Sequence, residues 1–371
     1  NKIIVMSLYI HIPFCRRKCF YCSFSIFIGK EKHVCAYLDC LKKEARQYSG
    51  EKINTVYVGG GTPSYLSGQN IKSLFNIIKS NFQLTDDAEI TFEANPEDVN
   101  IEKLRYLKQE GVNRLSLGIQ TLNERFLRQI GRGHSRDDVL KAVSLIRKEG
   151  FENLNLDLMY GFDGQSKSDL ETDIKDISAL ESEHLSLYTL TVEKNSKFHA
   201  ANVKQKEPEE LAQQFLFVKK MVRDFGYKQY EISNFAKPGR ESKHNINYWE
   251  AGNYIGLGMA AHSHFNGKRI WNVDSYVKYI KMMQDEGNAA GGQEILSRQS
   301  RFLEALVFGL RMTKGVNVGR LESQFAHKLD NKRKSEITYL IESKMLSLKG
   351  KNLKATQKGQ LVLDEISVRL V

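Results

Sequence analysis

Apolar residues follow two alternating patterns over the first 225 positions of the chain. Short runs rich in β-branched residues predict strands, whereas an apolar residue at every third or fourth position predicts an amphipathic helix. The predicted strands cover residues 8–12, 53–58, 88–94, 114–120, 154–159 and 185–192. The predicted helices cover residues 34–48, 71–78, 101–107, 123–130, 136–149, 170–180 and 211–225. This alternation predicts an α/β fold with a parallel sheet and outer helices. Because six units fall short of the eight in a closed barrel, we expect a partial (β/α)6 TIM-like barrel over residues 1–226.

The pattern changes beyond the predicted barrel. Residues 227–298 form a predicted connecting region, with one further strand over 230–235 and a glycine-rich stretch over 256–263. Residues 299–371 are mostly helical in pattern and end in an alternating apolar segment over 361–370. We expect a small C-terminal α+β domain here, for which a winged-helix-like arrangement is the working hypothesis.

Three cysteines stand close together directly after the first predicted strand. Cys15, Cys19 and Cys22 have C-x3-C-x2-C spacing, and three thiolates on one tight loop can face a common point, as soft metals require. The set lacks a fourth cysteine, which would leave one metal position open. The alternatives are a structural zinc site or three unrelated buried thiols, and zinc would want a second Cys or His pair nearby. Cys35 and Cys40 are predicted to be packing residues.

Other candidate residues follow the predicted strands at their carboxyl ends. In parallel barrels these ends meet at one mouth, where functional residues gather. The candidates are the cysteine loop, residues 59–64, Glu93, Gln120, Asp157 and residues 188–191. Each has a plain structural explanation as well. The glycines suit a tight turn, Glu93 and Asp157 could cap helices, and Arg132 could be a surface residue. Their coincidence at one face nevertheless predicts a binding site.

These residues resemble the motifs of the radical S-adenosylmethionine (SAM) family, over residues 7–265. Within it, the chain resembles the branch that holds oxygen-independent coproporphyrinogen III dehydrogenase and the haem chaperones HemW. The shared motifs are YIHIPF at 9–14, the three cysteines, GGGTPS at 59–64, Glu93 with Asn95-Pro96, Ser116-x-Gly118-x-Gln120 and Asn155-x-Asp157-x-x-Tyr160-Gly161.

The resemblance implies a radical SAM barrel whose cofactors are a 4Fe–4S cluster and SAM. It implies that Cys15, Cys19 and Cys22 ligate the cluster and that SAM chelates the open iron. Tyr9, Gly60 and Glu93 would surround the methionine part of SAM. The positions that match a second SAM in the dehydrogenase are Tyr21, Gly61, Thr62, Gln120, Arg132 and Asp157. The reduced cluster of this family passes one electron to the sulfonium, which yields methionine and a 5′-deoxyadenosyl radical.

Two features favour the HemW branch. Phe24 stands where the dehydrogenase has a fourth cysteine, and the segment from His244 to Trp249 resembles the HNxxYW motif of HemW. An imidazole near aromatic rings suits axial haem ligation and porphyrin stacking. The predicted haem-binding residues are His244, Asn245, Tyr248 and Trp249, with His262 as a competing ligand. The motif could instead be a packed segment whose histidine only forms hydrogen bonds.

We therefore expect a HemW-like protein that carries haem as bound cargo and delivers it to haem-accepting proteins, and we assign no catalytic residue. The enzymatic alternative is oxidative decarboxylation of the two propionates of coproporphyrinogen III to vinyl groups. A third alternative is a radical SAM enzyme that acts on nucleic acid, suggested by the net charge of +11.

The charge and composition bear on the nucleic-acid alternative and on where the protein is expected to be located. Residues 311–371 carry 13 Lys or Arg against 6 Asp or Glu. A basic surface attracts nucleic acid, anionic membranes or carboxylate-rich ligands, but the lysines are scattered, so we expect no nucleic-acid partner. Peripheral membrane association is compatible with this charge. The sequence has no run of 18 apolar residues and no export-signal pattern. With its free thiols, this predicts a cytoplasmic protein.

Overall fold

The computed structural model describes residues 6–371. Its strands are β1 (Met6–Ile12), β2 (Phe14–Cys15), β3 (Phe27–Ile28), β4 (Lys52–Gly60), β5 (Gln83–Ala94), β6 (Arg114–Gln120), β7 (Leu154–Tyr160), β8 (His184–Thr189), β9 (Lys228–Gln229), β10 (Asn234–Ala236), β11 (Tyr254–Leu257), β12 (His262–Phe265), β13 (Lys268–Asn272), β14 (Ala290–Ile295), β15 (Val316–Asn317), β16 (Leu346–Lys349) and β17 (Asn352–Ala355).

The α-helices are α1 (Val34–Ala45), α2 (Gly68–Asn81), α3 (Ile101–Gln109), α4 (Glu124–Gln129), α5 (Arg136–Lys148), α6 (Lys167–Ser178), α7 (Lys197–Ala200), α8 (Pro208–Asp224), α9 (Lys243–Trp249), α10 (Tyr276–Asp285), α11 (Arg298–Arg311), α12 (Val318–Phe325), α13 (Asn331–Glu342), α14 (Gln357–Leu361) and α15 (Leu363–Leu370). The seven helices that the apolar spacing predicts for the barrel are present as α1 to α6 and α8, and the chain has further helices that it did not predict. Ser135 and Ser166 start α5 and α6 with capping boxes, which satisfy two free N–H groups at each helix start.

The six predicted strands form the centre of one large sheet. Strands β1, β4, β5, β6, β7 and β8 are neighbours in that order, and each pair is parallel. On β1, Leu8, Ile10 and Ile12 are fully buried on one face, while Tyr9 and His11 point to the other face and line a cavity. The predicted α/β radical SAM fold is therefore confirmed, and the carboxyl ends of these strands lie at one edge.

The sheet continues into residues beyond the predicted barrel, on both of its sides. Strand β11 pairs in parallel with β1, and β12, β13 and β14 follow it in antiparallel order. Strands β10 and β9 extend the other side beyond β8. The single strand predicted over 230–235 is wrong, because β9 ends at Gln229 and β10 begins only at Asn234. Strand β11 ends within the glycine-rich stretch and β12 begins within it, and the apolar pattern predicted neither strand.

The last part of the chain forms its own layer and core. The element order α11, β15, α12, α13, β16, β17 is that of a winged helix, as predicted. Its core includes Phe302, Leu306 and Leu353, all fully buried. The alternating segment over 361–370 is helical, because its buried residues, such as Leu363 and Ile366, are spaced for a helix. None of the helices in residues 6–371 is long and apolar enough to cross a membrane.

Candidate functional site

The cysteine loop lies at the end of β1 and opens into a cavity of about 150 Å³. Cys15, Cys19 and Cys22 all line this cavity and none is in a disulfide. Arg16 anchors the loop, since its Nε donates to Oδ1 of the buried Asp98 at 2.5 Å. The loop is therefore held against the turn after β5.

Most of the predicted SAM residues line the same cavity. They are Tyr21, Gly60, Gly61, Thr62, Glu93, Gln120, Arg132 and Asp157. The parallel strands bring these distant positions together at their carboxyl ends, as the sequence predicts. Residues 188–191 are absent from the lining in the described chain. Sequence reasoning missed Arg17, whose only signal is its place inside the cysteine loop, and gave no separate role to Asn95, which also lines the cavity.

The glycine turn after β4 needs residues without side chains. Gly60 has a φ of +112°, and a Cβ on it would stand 2.6 Å from Nδ1 of His11. A Cβ on Gly61 would stand 2.9 Å from the carbonyl oxygen of Phe14. Because glycine has no Cβ, the backbone of this turn can approach the cysteine loop closely, and no side chain from Gly60 or Gly61 fills the cavity.

Burial controls the charge state of the thiols. It raises the pKa of Cys15 to about 12, although the nearby Thr62 hydroxyl opposes the shift. Burial also raises the pKa of Cys22. Arg132 faces the third cysteine, with Nη1 3.5 Å from Sγ of Cys19. The thiols of Cys15 and Cys22 are protonated in the cofactor-free protein, so loading them with metal must release protons.

Two of the three carboxyl groups that line the cavity, Glu93 and Asp157, form no ion pair among residues 6–371, whereas Glu97 lies 3.4 Å from Nδ1 of His134. The hydroxyl of Tyr57 donates to Glu93 at 2.6 Å and the backbone N–H of Gly60 donates at 3.2 Å. Burial raises the pKa of Glu93 to about 7. Asp157 accepts from Nδ2 of Asn155 at 2.8 Å, and burial raises its pKa as well. Neither caps a helix, because Asn100 and Ser166 cap α3 and α6.

The donor set fits the cofactors that the motifs imply. Cys15, Cys19 and Cys22 supply sulfur ligands for a cluster, and the carboxyl group of Glu93 faces the same space. Among residues 6–371, no group of three or more Cys, His, Asp or Glu side chains converges as it would around a single metal ion. The ligand roles of these residues stay predictions.

A second cavity of about 510 Å³ adjoins the first and shares Phe24 and Gly60 with it. Its lining is mainly aromatic and includes four imidazoles. The lining side chains are Tyr9, His11, Phe24, Tyr57, His244, Asn245, Tyr248, Trp249, Tyr254, His262, His264, Arg269, Glu304 and Phe308, among others. Tyr9, predicted beside the methionine part of SAM, lines this second cavity and is absent from the lining of the first. Its hydroxyl lies 2.9 Å from Nδ1 of His11, which lines the same cavity.

His244 is held on both sides in the second cavity. Its Nδ1 lies 2.9 Å from the Thr55 hydroxyl, and its Nε2 lies 3.0 Å from the Tyr248 hydroxyl. Burial lowers the pKa of His244 to about 3, so the ring is neutral. Both ring nitrogens are therefore engaged in hydrogen bonds. This matches the alternative in which the motif histidine forms hydrogen bonds within a packed segment.

Other buried polar atoms around this cavity have no hydrogen-bond partner among residues 6–371. They are Nε2 of His11, Nε2 of His264 and Nε1 of Trp249. Such groups are rare in folded proteins and mark places where a ligand or another group is needed. Sequence reasoning missed both histidines as ligand candidates. His11 lies within the YIHIPF motif, whereas His264 carries no motif signal.

Two family models match the chain. The model of the radical SAM superfamily matches residues 9–177, and the model of the HemN C-terminal domain matches residues 296–362. The first match covers the strands and turns that build the cysteine cavity, and the second covers most of the winged-helix part.

Curated relatives match nearly the whole chain. The haem chaperone HemW of Bacillus subtilis (strain 168) is 36% identical and covers 97% of each chain. The haem chaperone HemW of Lactococcus lactis (strain IL1403) is 35% identical and covers 95% of this chain and 94% of its own. A solved structure, coproporphyrinogen III oxidase (HemN) from Escherichia coli, has a TM-score of 0.88 at 23% identity, covering 99% of this chain and 90% of its own. At that identity the likeness shows the fold alone.

Proposed function

The chain belongs to the HemW family of radical SAM proteins, and from that premise we propose that it binds haem and delivers it to acceptor proteins. The observation that carries the proposal is a pair of adjoining cavities with unlike chemistry. One is lined by three cysteines and by the carboxyl groups of Glu93, Glu97 and Asp157. The other is lined by aromatic rings and imidazoles.

The second cavity has the properties that a porphyrin requires. Its volume of about 510 Å³ falls within the range of about 300–1,000 Å³ that is usual for small-molecule pockets. Rings of Tyr9, Tyr248 and Trp249 offer flat apolar contact for a macrocycle. The histidines offer neutral nitrogen, since burial lowers the pKa of His11 to about 4. Haem combines an apolar face with an iron that takes such a nitrogen.

The radical SAM family implies a 4Fe–4S cluster and SAM as cofactors, and the residues of the first cavity fit them. When bound, such a cluster supplies an electron that cleaves SAM reductively. The chain's own residues would hold and orient these groups. Cys15, Cys19 and Cys22 would supply the sulfur ligands. Arg132 would stabilise thiolate at Cys19, and Glu93 would meet the methionine end of SAM.

The enzymatic alternative is less supported by the residues around the cavities. Phe24 takes the position of the dehydrogenase's fourth cysteine, and 61% of its surface is exposed between the two cavities. The side chain thus offers apolar contact to a ligand of the second cavity and no sulfur donor to the first. Haem as cargo accounts for this contact.

The test uses the full chain with its cluster reconstituted under anaerobic conditions. Titration with haem should give a saturable shift of the Soret band, and the loaded protein should pass haem to an apo-globin. Incubation with SAM, reductant and coproporphyrinogen III should give no divinyl product. Conversion of coproporphyrinogen III, or the absence of saturable haem binding, would contradict the proposal.

A further inference from the structure

Four histidines line the second cavity, and their surroundings differ enough to separate them. His244 has both nitrogens in hydrogen bonds, to the hydroxyls of Thr55 and Tyr248. His262 is exposed, and its ring stacks on Trp271 with 6.3 Å between the centroids. His244 therefore has no free nitrogen, and His262 does not lie in an enclosed position.

His11 has a free nitrogen but lies at the boundary with the first cavity. Its Nδ1 is 2.9 Å from the hydroxyl of Tyr9. Its ring lies directly over the Gly60 turn, where a Cβ would stand 2.6 Å from Nδ1. His11 therefore contacts the Gly60 turn, which lines both cavities.

His264 lies on β12 with a free nitrogen and an aromatic setting. Only 9% of its surface is exposed, and its Nε2 has no partner among the described residues. It is the cross-strand neighbour of Tyr254 on one side and of Arg269 on the other. The Tyr254 ring packs against Tyr248 with 4.7 Å between their centroids. His264 thus adjoins the aromatic wall that α9 supplies.

The environment of His264 keeps its ring neutral. Burial first, and then the cations Arg301 and Arg269, lower its pKa, while Glu304 and the backbone of Gly252 oppose them. A buried acceptor without a partner costs about 1–3 kcal/mol, and an iron atom would relieve that cost.

We propose that Nε2 of His264 is the axial ligand of the haem iron. On this proposal, His244 is a positioning residue that holds Tyr248 at the cavity wall. The proposal rests on the proposed haem-binding function and adds the ligand to it. It departs from the motif-based prediction, in which His244 is the ligand.

The experiment titrates haem into the cluster-loaded full chain and into four variants, His264→Ala, His244→Ala, His11→Ala and His262→Ala. His264→Ala should lose the spectrum of nitrogen-ligated haem and weaken binding by about tenfold or more. Added imidazole should restore that spectrum, because it can enter the space left by the side chain. The other three variants should keep the ligated spectrum, and His244→Ala should bind haem more weakly.

Control variants distinguish failure of the ligand assignment from failure of the proposed haem-binding function. His264→Gln keeps the side-chain volume, so its loss of the ligated spectrum alongside normal cluster content shows that folding is intact. An unchanged spectrum in His264→Ala, or loss of the ligated spectrum in His244→Ala or His11→Ala with rescue by imidazole, overturns the ligand assignment alone. Failure of the unmodified chain to bind haem overturns the proposed function and the assignment with it.

Discussion

The two adjoining cavities differ in the chemistry of the buried polar atoms that lack a hydrogen-bond partner among the described residues. In the cysteine cavity these atoms belong to the charged groups of Glu97 and Arg132. In the aromatic cavity they are nitrogens of the rings of His11, His264 and Trp249. The first cavity thus offers charges to a ligand, whereas the second offers ring nitrogens in an aromatic setting.

The two cavities also differ in how the sequence determines their chemistry. The cysteine cavity is built from short motifs at strand ends, so the order of residues along the chain determines its chemistry. The aromatic cavity is built where β12, β13, α9 and α11 pack together. Its chemistry depends on which side chains that packing leaves without hydrogen-bond partners.

The largest effect is expected from Cys19→Ala. Removing one of three sulfur donors should abolish the cluster absorbance and nearly all bound iron and sulfide. Haem binding in the second cavity should persist, because Cys19 does not line it in the described chain. Iron and sulfide analysis together with haem titration measures both. Cys35→Ala, which changes an exposed thiol on α1, is the matched control. Joint loss of cluster and haem binding would show that the cavities are one functional unit.

The next effect concerns the pH dependence of stability in the cofactor-free chain. The folded-state pKa of Glu93 is raised from 4.5 to about 7, a shift worth about 3 kcal/mol. The protonated group therefore contributes stability that is present below pH about 4.5 and is lost as the pH rises through about 7. Urea unfolding across this window should show this loss in the unmodified chain and a flatter profile in Glu93→Gln.

Other buried carboxyl groups titrate in the same window, since burial also raises the pKa of Asp173 to about 6. For this reason the informative quantity is the difference in unfolding free energy between the unmodified chain and Glu93→Gln. A difference that is constant with pH would mean that Glu93 is ionised in the folded chain. The cysteine cavity would then hold a permanent charge.

His244→Ala should lower the free energy of unfolding by about 2 kcal/mol, because it leaves the Tyr248 hydroxyl without its partner and removes one bond of the buried Thr55 hydroxyl. The Thr55 hydroxyl keeps its bond to Ser7. His262→Ala is the matched control in the same cavity. It removes an exposed imidazole, so its effect should stay within about 0.5 kcal/mol. Urea unfolding of the two variants measures the contrast. Equal effects would contradict a structural role for His244.

The smallest effect is expected from Phe24→Ala. Loss of this partly exposed ring removes apolar contact worth about 1 kcal/mol, so haem affinity should fall about fivefold while iron and sulfide content stays unchanged. Phe225→Ala removes a ring that is 42% exposed at the end of α8 and serves as the control. Loss of the cluster in Phe24→Ala would instead assign the ring to the cysteine cavity.

Much of the fold could be predicted because its signals are local. The six parallel strands are apolar runs, each followed by a helix of regular spacing. Strand β11 escaped prediction because it has only four residues and includes Gly256, which weakens a strand pattern. Its parallel pairing with β1 joins residues about 250 positions apart. No local pattern carries that information.

The two cavities differ in how far they could be predicted from local sequence patterns. The cysteine cavity was predictable because its residues belong to motifs at strand ends. The free nitrogen of His264 was not, since it depends on burial by the neighbouring strands and helices. The motif around His244 is visible in the sequence, but its hydrogen bonds to Thr55 and Tyr248 appear only once β4 and α9 are packed together.

Phe24 and Gly60 each belong to both cavities, and this shared wall has a thermodynamic consequence. A ligand that moves the wall on one side changes the free energy of binding on the other side. By linkage, any factor by which a bound cofactor changes the affinity for haem equals the factor by which haem changes the affinity for that cofactor. With haem and the cofactors bound as proposed, occupancy of one cavity would change the affinity of the other. The state of the cluster side would then affect when haem is retained and when it is released.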